Sequence, residues 1–166
     1  MEVLWAPWRM TYIDRKTAPG TGPCIFCAAT TGDPRERLLL AATGTSVVML
    51  NRYPYTNGHL MVAPRRHTAS LVDLPAAEYA ELTDTLRRAL ATLAGAWRPE
   101  GFNVGLNLGA CAGAGIADHL HWHIVPRWTG DVNFMPLLAE VHVMPQHLLD
   151  AWDRLRPAFA ALGGAG

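Results

Sequence analysis

Three histidines alternate with apolar residues in the run HLHWHIV, which ends just before Pro126. On a β-strand successive side chains point to opposite faces, so this spacing predicts that His119, His121 and His123 share one face, roughly 6.8 Å apart. A neutral imidazole can act near pH 7 as a nucleophile, a base or a metal ligand. The alternative is a half-buried strand with polar residues on its wet face, which is disfavoured because the chain has only 7 histidines. The run therefore predicts a site.

A second group with possible chemistry is the pair Cys24 and Cys27 in the segment CIFC. Three cysteines in an intracellular chain do not make a disulfide framework, so this pair suggests a metal site or a redox site. Two thiolates can bind one zinc, which takes four ligands of this kind. The redox alternative is weaker because no thioredoxin-like βαβ pattern follows. Cys111 is interpreted as an ordinary small loop or core residue.

The elements that position these residues can be predicted from periodicity. Apolar runs predict strands at residues 47–50 and 59–63, which form a hairpin, and alternation predicts strands at residues 103–108 and 119–128. Helical spacing runs from Ala76 to about Trp97, and residues 146–162 predict one more helix, which Pro157 disturbs. Strands clustered around one long helix favour an α+β antiparallel sheet over a parallel βαβ arrangement.

Length and charge limit the classes of protein that fit. A chain of 166 residues is most simply one domain. With 14 basic and 14 acidic residues, attraction to nucleic acid polymers or to anionic membranes is not indicated. No apolar stretch could span a bilayer and no signal-peptide pattern opens the chain, so a cytoplasmic location is expected. Residues 1–22 contain Trp5 and Trp8 and are predicted to form an arm packed on the body.

The histidine run resembles the signature of the histidine triad (HIT) family of nucleotide hydrolases and transferases. The segment NRYPYTNGHLMVAP at residues 51–64 resembles the first hairpin of that family, and the spacing of the two segments fits. The resemblance covers roughly residues 24–135, which leaves the arm 1–22 and a C-terminal extension, 136–166, of a single HIT-like domain. It implies an antiparallel sheet of about five strands, with one long helix and a C-terminal helix, and a homodimer.

For catalysis, the resemblance implies that His121 attacks the α-phosphorus of a nucleotide and forms a nucleotidyl-imidazole intermediate. Water or another acceptor then resolves this intermediate. His123 is expected to contact the leaving or bridging oxygen, and His59 to support the triad, of which His119 is the first member. For His59, a satisfied core histidine is the alternative.

The resemblance also implies ligands for the nucleotide and for a metal. Asn51 matches a residue that contacts ribose, and Asn107 one that contacts phosphate. The small-residue loop that follows offers unobstructed backbone N–H groups as a phosphate cradle, from Gly113, Ala114 and Gly115. A subset of the family binds a structural zinc, and the matching ligands here are Cys24, Cys27, His67 and His119.

Position 115 points to one branch of the family. Family hydrolases commonly have Gln four residues before the first triad histidine, followed by a small hydroxyl residue, whereas this chain has Gly115 and Ile116. The pattern is closer to that of dinucleoside tetraphosphate phosphorylases, and residues 4–9 and 130–134 also resemble that branch of the family. We therefore expect an enzyme that cleaves dinucleoside polyphosphates, most simply diadenosine tetraphosphate (Ap4A), with inorganic phosphate as acceptor. The alternatives are a hydrolase of dinucleoside polyphosphates or adenosine phosphoramidates, and a nucleotide-binding interaction protein with vestigial activity.

Overall fold

One antiparallel sheet of five strands organises the residues that the computed structural model describes, 23–131 and 146–163. Its strands are β1 (Leu39–Ala42), β2 (Ser46–Leu50), β3 (Leu60–Pro64), β4 (Gly101–Leu106) and β5 (Trp122–Arg127). Their spatial order is β1-β2-β3-β5-β4, and every neighbouring pair is antiparallel. The predicted α+β antiparallel class is confirmed, and so is the hairpin of β2 and β3.

Three α-helices accompany the sheet in this part of the chain: α1 (Pro34–Arg37), α2 (Ala76–Trp97) and α3 (Leu148–Phe159). The bounds of α2 agree with its apolar period, and it ends where Arg98 adopts a left-handed conformation with φ 49°. Helix α3 continues through Pro157 and is followed by a 3₁₀ turn, Ala160–Leu162, so the proline disturbs the predicted helix only near its end. No helix in the described ranges is long and apolar enough to cross a membrane.

The sheet separates two apolar clusters. The larger one packs α2 and α3 against one face and contains Leu60, Val62 and Ile124. The smaller one lies on the opposite face, around Phe26 and Met49. Because cross-strand partners share a face, the pairs Met49–Met61, Met61–His123 and Gly105–His123 form a line across β2, β3, β5 and β4. We call these four residues the transverse row.

The start of the predicted histidine strand differs in a way that affects the site. The strand predicted at 119–128 is paired only over Trp122–Arg127, because the Leu120 N–H donates to the Thr68 carbonyl at 2.6 Å instead of to β3. Leu120, Trp122 and Ile124 nevertheless all pack on the helix side, as the alternation predicts. His119 and His121 are therefore on the predicted face but outside the ladder. The strands predicted at 59–63 and 103–108 are each displaced by one or two residues.

Elements β1 and α1 were not predicted. The β1 segment, LLAA, has no alternation, and it becomes a strand through its pairing with β2, with an irregularity between Leu39 and Ala41. The arm at 1–22 and residues 132–134 lie outside the described residues. The division of the chain into arm, core and extension stays a prediction.

Candidate functional site

A cavity of about 430 Å³ opens on the face of the sheet that α2 does not cover. The walls of the cavity are formed by the end of α1 with Leu38, by the end of β2 and the loop that follows it, by the small-residue loop at 109–115 and by the histidine segment at 119–123. The lining residues are Ile25, Arg37, Leu38, Met49, Leu50, Asn51, Arg52, Tyr53, Tyr55, Met61, Gly113, Gly115, Ile116, His121 and His123. Five of the predicted catalytic and nucleotide-binding residues therefore share one cavity: Asn51, Gly113, Gly115, His121 and His123.

The ring of His121 is held in one tautomer. Its Nδ1 lies 2.8 Å from the His119 carbonyl oxygen. A carbonyl can only accept, so Nδ1 carries the proton and Nε2 of the neutral ring has the lone pair. The side chain is 3% exposed, and its ring packs 4.9 Å from that of Phe26. This is the state that an imidazole nucleophile requires.

A relay of hydrogen bonds gives His123 the opposite tautomer. The Tyr55 backbone N–H donates to His59 Nδ1 at 3.1 Å, so the proton of neutral His59 is on Nε2. That N–H donates to His123 Nδ1 at 2.9 Å. The proton of neutral His123 is therefore on its own Nε2. The cavity wall thus combines a lone pair on His121 with an N–H donor on His123.

The loop after β2 holds this relay in place. Tyr55 stacks on His59 with ring centroids 4.9 Å apart and planes 19° apart. The Asn51 side chain accepts from the Tyr53 N–H at 2.9 Å, and its amide nitrogen is 3.4 Å from His59 Nδ1. Gly58 closes the loop at φ 78°, where an added Cβ would lie 2.6 Å from a ring carbon of Trp97. The loop therefore needs glycine for both its backbone and its packing.

Burial keeps this histidine pair neutral. Desolvation, reinforced by the nearby His123 and His121, lowers the pKa of His59 to about 3. Desolvation, with a smaller contribution from His121, lowers the pKa of His123 to about 4. Both rings are therefore neutral at neutral pH, so that His59 continues to donate from Nε2 to His123 Nδ1.

These pKa values predict that the protein loses stability in mild acid. Histidine in the unfolded chain binds a proton below about pH 6.5, whereas His59 in the folded chain does so only near pH 3, so stability present above pH 6.5 is lost as the pH falls. Between pH 7 and pH 5 this one group contributes a loss of about 2 kcal/mol. His59→Gln is expected to remove that part of the pH dependence. Urea unfolding of both proteins at both pH values measures it, each protein serving as its own reference, and equal losses would contradict the assignment.

Cys24, Cys27, His67 and His119 form a second cluster, whose ligand atoms all lie within 4.8 Å of one another. His119 Nδ1 is 3.3 Å from Cys24 Sγ, 3.6 Å from Cys27 Sγ and 3.2 Å from His67 Nδ1. Bonds of 2.0–2.3 Å to a tetrahedral zinc imply ligand separations of about 3.3–3.8 Å, so the four residues fit a metal ion. His119 Nε2 donates to the Pro64 carbonyl at 2.8 Å, which leaves the Nδ1 lone pair for a metal.

The remaining predicted residues have less direct positions. Asn107 does not line the cavity, and its amide instead donates to the Gly113 carbonyl at 3.4 Å. Ala114 is buried between two lining glycines. The N–H groups of Gly113 and Ala114 donate to the Ala110 and Gly109 carbonyls at 3.0 and 3.3 Å, so the prediction that both are unobstructed phosphate donors is wrong. Cys111 is exposed in the 3₁₀ turn Ala110–Ala112, which agrees with its interpretation as a loop residue.

Sequence reasoning missed Tyr55, Phe26 and the two arginines of the cavity, Arg37 and Arg52. Phe26 lies between the two cysteines, so the CIFC segment could have suggested that it packs beside the histidines. Arg52 follows Asn51 directly, and its guanidinium donates to the Glu36 carbonyl at 2.9 Å. Nothing local in the sequence indicates that α1 brings Arg37 to the same cavity.

The chain is similar to known proteins over most of its length. A family model described as the HIT domain matches residues 36–130. An AP-4-A phosphorylase of Mycobacterium tuberculosis is 40% identical over 156 residues, covering 90% of this chain and 80% of that protein. An adenosine 5'-monophosphoramidase of Schizosaccharomyces pombe is 32% identical over 104 residues, covering 63% and 74%. The structure of a zinc-bound histidine triad family protein from Mycobacterium smegmatis aligns with a TM-score of 0.65 at 27% identity, covering 86% of this chain and 97% of that one.

Proposed function

This chain belongs to the HIT domain family, and from that premise we propose that it is an enzyme that cleaves dinucleoside polyphosphates, Ap4A foremost, with inorganic phosphate as acceptor. The observation that carries the proposal is the pair of opposite tautomers in one cavity, with a lone pair on His121 Nε2 and a proton on His123 Nε2. The 40% identity to an AP-4-A phosphorylase supports the choice of substrate.

In the first step, His121 Nε2 attacks the α-phosphorus. A P–N bond forms as the P–O bond to the departing nucleotide breaks, and ATP leaves. The Nε2–H of His123 donates to the oxygen that departs, where negative charge develops. The backbone N–H of Gly115 is the donor for a non-bridging oxygen, because the N–H groups of Gly113 and Ala114 already donate to the Ala110 and Gly109 carbonyls.

In the second step, an oxygen of inorganic phosphate attacks the same phosphorus and the P–N bond breaks. The products are ADP and a restored His121, so the sum is Ap4A plus phosphate giving ADP plus ATP. Gly115 favours phosphate over water because it has no side chain that could position a water molecule. The neutral His59 donates its Nε2–H to His123 Nδ1 in both steps, which keeps the proton of His123 on Nε2.

The nucleoside binds at the other end of the cavity. Asn51, at the end of β2, contacts the ribose, while Ile25, Met49 and Met61 supply an apolar surface for the base. The side chain of Asn107 supports the phosphate loop through its hydrogen bond to the Gly113 carbonyl.

A zinc ion held by Cys24, Cys27, His67 and His119 is structural in this proposal. Four protein ligands leave no open position for water or substrate. When bound, the metal would link the CIFC segment at residues 24–27 to His119, whose backbone carbonyl orients the ring of His121. The separations of the four ligand atoms support this assignment.

The working form is a homodimer that acts on free nucleotides and not on nucleic acid polymers. Strand β4 is an edge of the sheet, and its middle residues, Asn103 and Val104, are exposed, Val104 to 43%. An exposed edge strand is a template for pairing with a second chain. The whole chain forms a single HIT-like domain in this proposal, with residues 24–135 as its family core.

Labelled phosphate tests the acceptor. Incubation of the enzyme with Ap4A and isotopically labelled inorganic phosphate is expected to place the label in ADP, with an equal amount of unlabelled ATP. A hydrolase of dinucleotides or phosphoramidates, which the similarity to the monophosphoramidase also allows, would form AMP instead. Chromatography of the products with mass detection separates the two results. AMP as the main product at saturating phosphate would contradict phosphorolysis and leave the His121 mechanism intact.

A further inference from the structure

The cavity is sized for one nucleotide, whereas the proposed substrate carries a nucleoside at each end of its phosphate chain. Its volume of about 430 Å³ lies towards the lower end of small-molecule pockets, ~300–1,000 Å³. Its lining ends at His123, and no residue of β4 contributes to it. The departing half of the substrate must therefore extend beyond the cavity from the phosphorus at His121 and His123.

The transverse row shows which way is open. Met49 and Met61 stand on the nucleoside side of His123, and the position on its other side is Gly105 in β4. Directly opposed residues of antiparallel strands have their Cβ atoms only about 4.5–5.5 Å apart, so any side chain at position 105 would stand next to the His123 ring. Among the residues that the structure describes, no side chain therefore follows His123 in the transverse row on the side of the leaving group.

The backbone does not require glycine at this position. Gly105 is not among the residues with positive φ, and a Cβ built on it would meet no described atom within 4 Å. Glycine within a strand weakens it, and it often marks a place where a ligand or another backbone approaches closely. Among the described residues, Gly105 thus leaves space beside His123 on the site face.

We propose that Gly105 is a specificity-determining residue, which keeps clear the path on which the phosphates of the departing nucleotide cross β4 beside His123. This inference rests on the proposed function, since only a substrate with a long leaving group needs such a path. A mononucleotide bound in the cavity does not reach it. Dinucleoside polyphosphates can therefore bind because no side chain at position 105 blocks this path.

Binding measurements on matched variants test the path. In zinc-loaded protein with His121→Ala, which prevents turnover, calorimetry gives the affinities for AMP and for Ap4A. Adding Gly105→Val, whose β-branched side chain suits a strand, is expected to weaken Ap4A binding at least about tenfold and to change AMP binding less than about twofold. Gly105→Ala is expected to give an intermediate loss for Ap4A. Retained AMP binding shows that each variant is folded.

Gly101→Val is the matched control, because Gly101 lies on the same strand and face with nothing described within 4 Å of an added Cβ. It pairs with Arg127 instead of with His123, so both affinities should be unchanged. Unchanged Ap4A affinity in both Gly105 variants, or an equal loss for AMP and Ap4A, would overturn the proposal. If the His121→Ala parent binds AMP but not Ap4A, the dinucleotide substrate itself is wrong and the path is refuted with it, a result that no Gly105 variant can produce.

Discussion

His121→Ala is expected to lower turnover of Ap4A by a factor on the order of 10⁴ or more, because it removes the atom that forms the covalent intermediate. Wild-type enzyme mixed with Ap4A without phosphate should form a nucleotidyl adduct on His121, acid-labile as phosphoramidates are. The variant should form none. Quenched-flow kinetics with mass analysis of the intact protein measures both quantities.

Two further variants separate the nucleophile from its surroundings. His123→Ala should still form the adduct, but about a hundredfold more slowly, because it loses only a donor to developing charge. His147→Ala, which changes an exposed histidine at the start of α3, should react like the wild type. Near-normal turnover in His121→Ala would refute the mechanism for phosphate and for water alike.

Loss of the metal is expected to have the largest effect on stability. Protein purified without added zinc should contain about one zinc per chain, and Cys24→Ala should contain little. A metal that binds only the folded state, at a free concentration 100-fold above its Kd, raises the free energy of unfolding by about 3 kcal/mol. For a chain of this size, this corresponds to an increase in Tm of roughly 6–12 °C. Metal analysis and thermal unfolding with and without a chelator measure the two effects.

Cys111→Ala is the matched control for this experiment. Cys111, like Cys24, forms no disulfide, but it is exposed and lies outside the four-residue cluster. Its variant should keep both the zinc and the wild-type Tm. Undiminished zinc in Cys24→Ala, or an equal loss in the Cys111 variant, would exclude the proposed site.

Much of the fold could be predicted because its patterns are local. The apolar period of α2 runs for 22 residues, so its bounds agree with the structure. The β2–β3 hairpin follows from two apolar runs on either side of a polar turn. By contrast, the segment LLAA of β1 has no period of its own and is a strand only because β2 pairs with it. Strand formation there depends on a partner and not on propensity.

The same division applies to the candidate site. Residue types and spacing alone were enough to select the three triad histidines and the two cysteines, because few other residues can do that chemistry. His59 was selected only through the resemblance to the HIT family. The alternation around the triad also indicated that Leu120, Trp122 and Ile124 point away from the histidines, and in the structure these three pack in the cluster that contains the helices. The sequence could not show that His119 and His121 precede the paired strand, since that depends on the distant Thr68 carbonyl.

Only the tertiary structure decided where the protons are. His121 and His123 are the same residue type on the same face, yet one offers a lone pair and the other an N–H to the cavity. The difference comes from the group that is hydrogen-bonded to Nδ1 of each ring. For His121 this group is the carbonyl of His119, two residues away, and for His123 it is the ring of His59, 64 residues away. An imidazole has two nitrogens of nearly equal basicity, so its hydrogen-bond partners, brought together by the fold, select the tautomer.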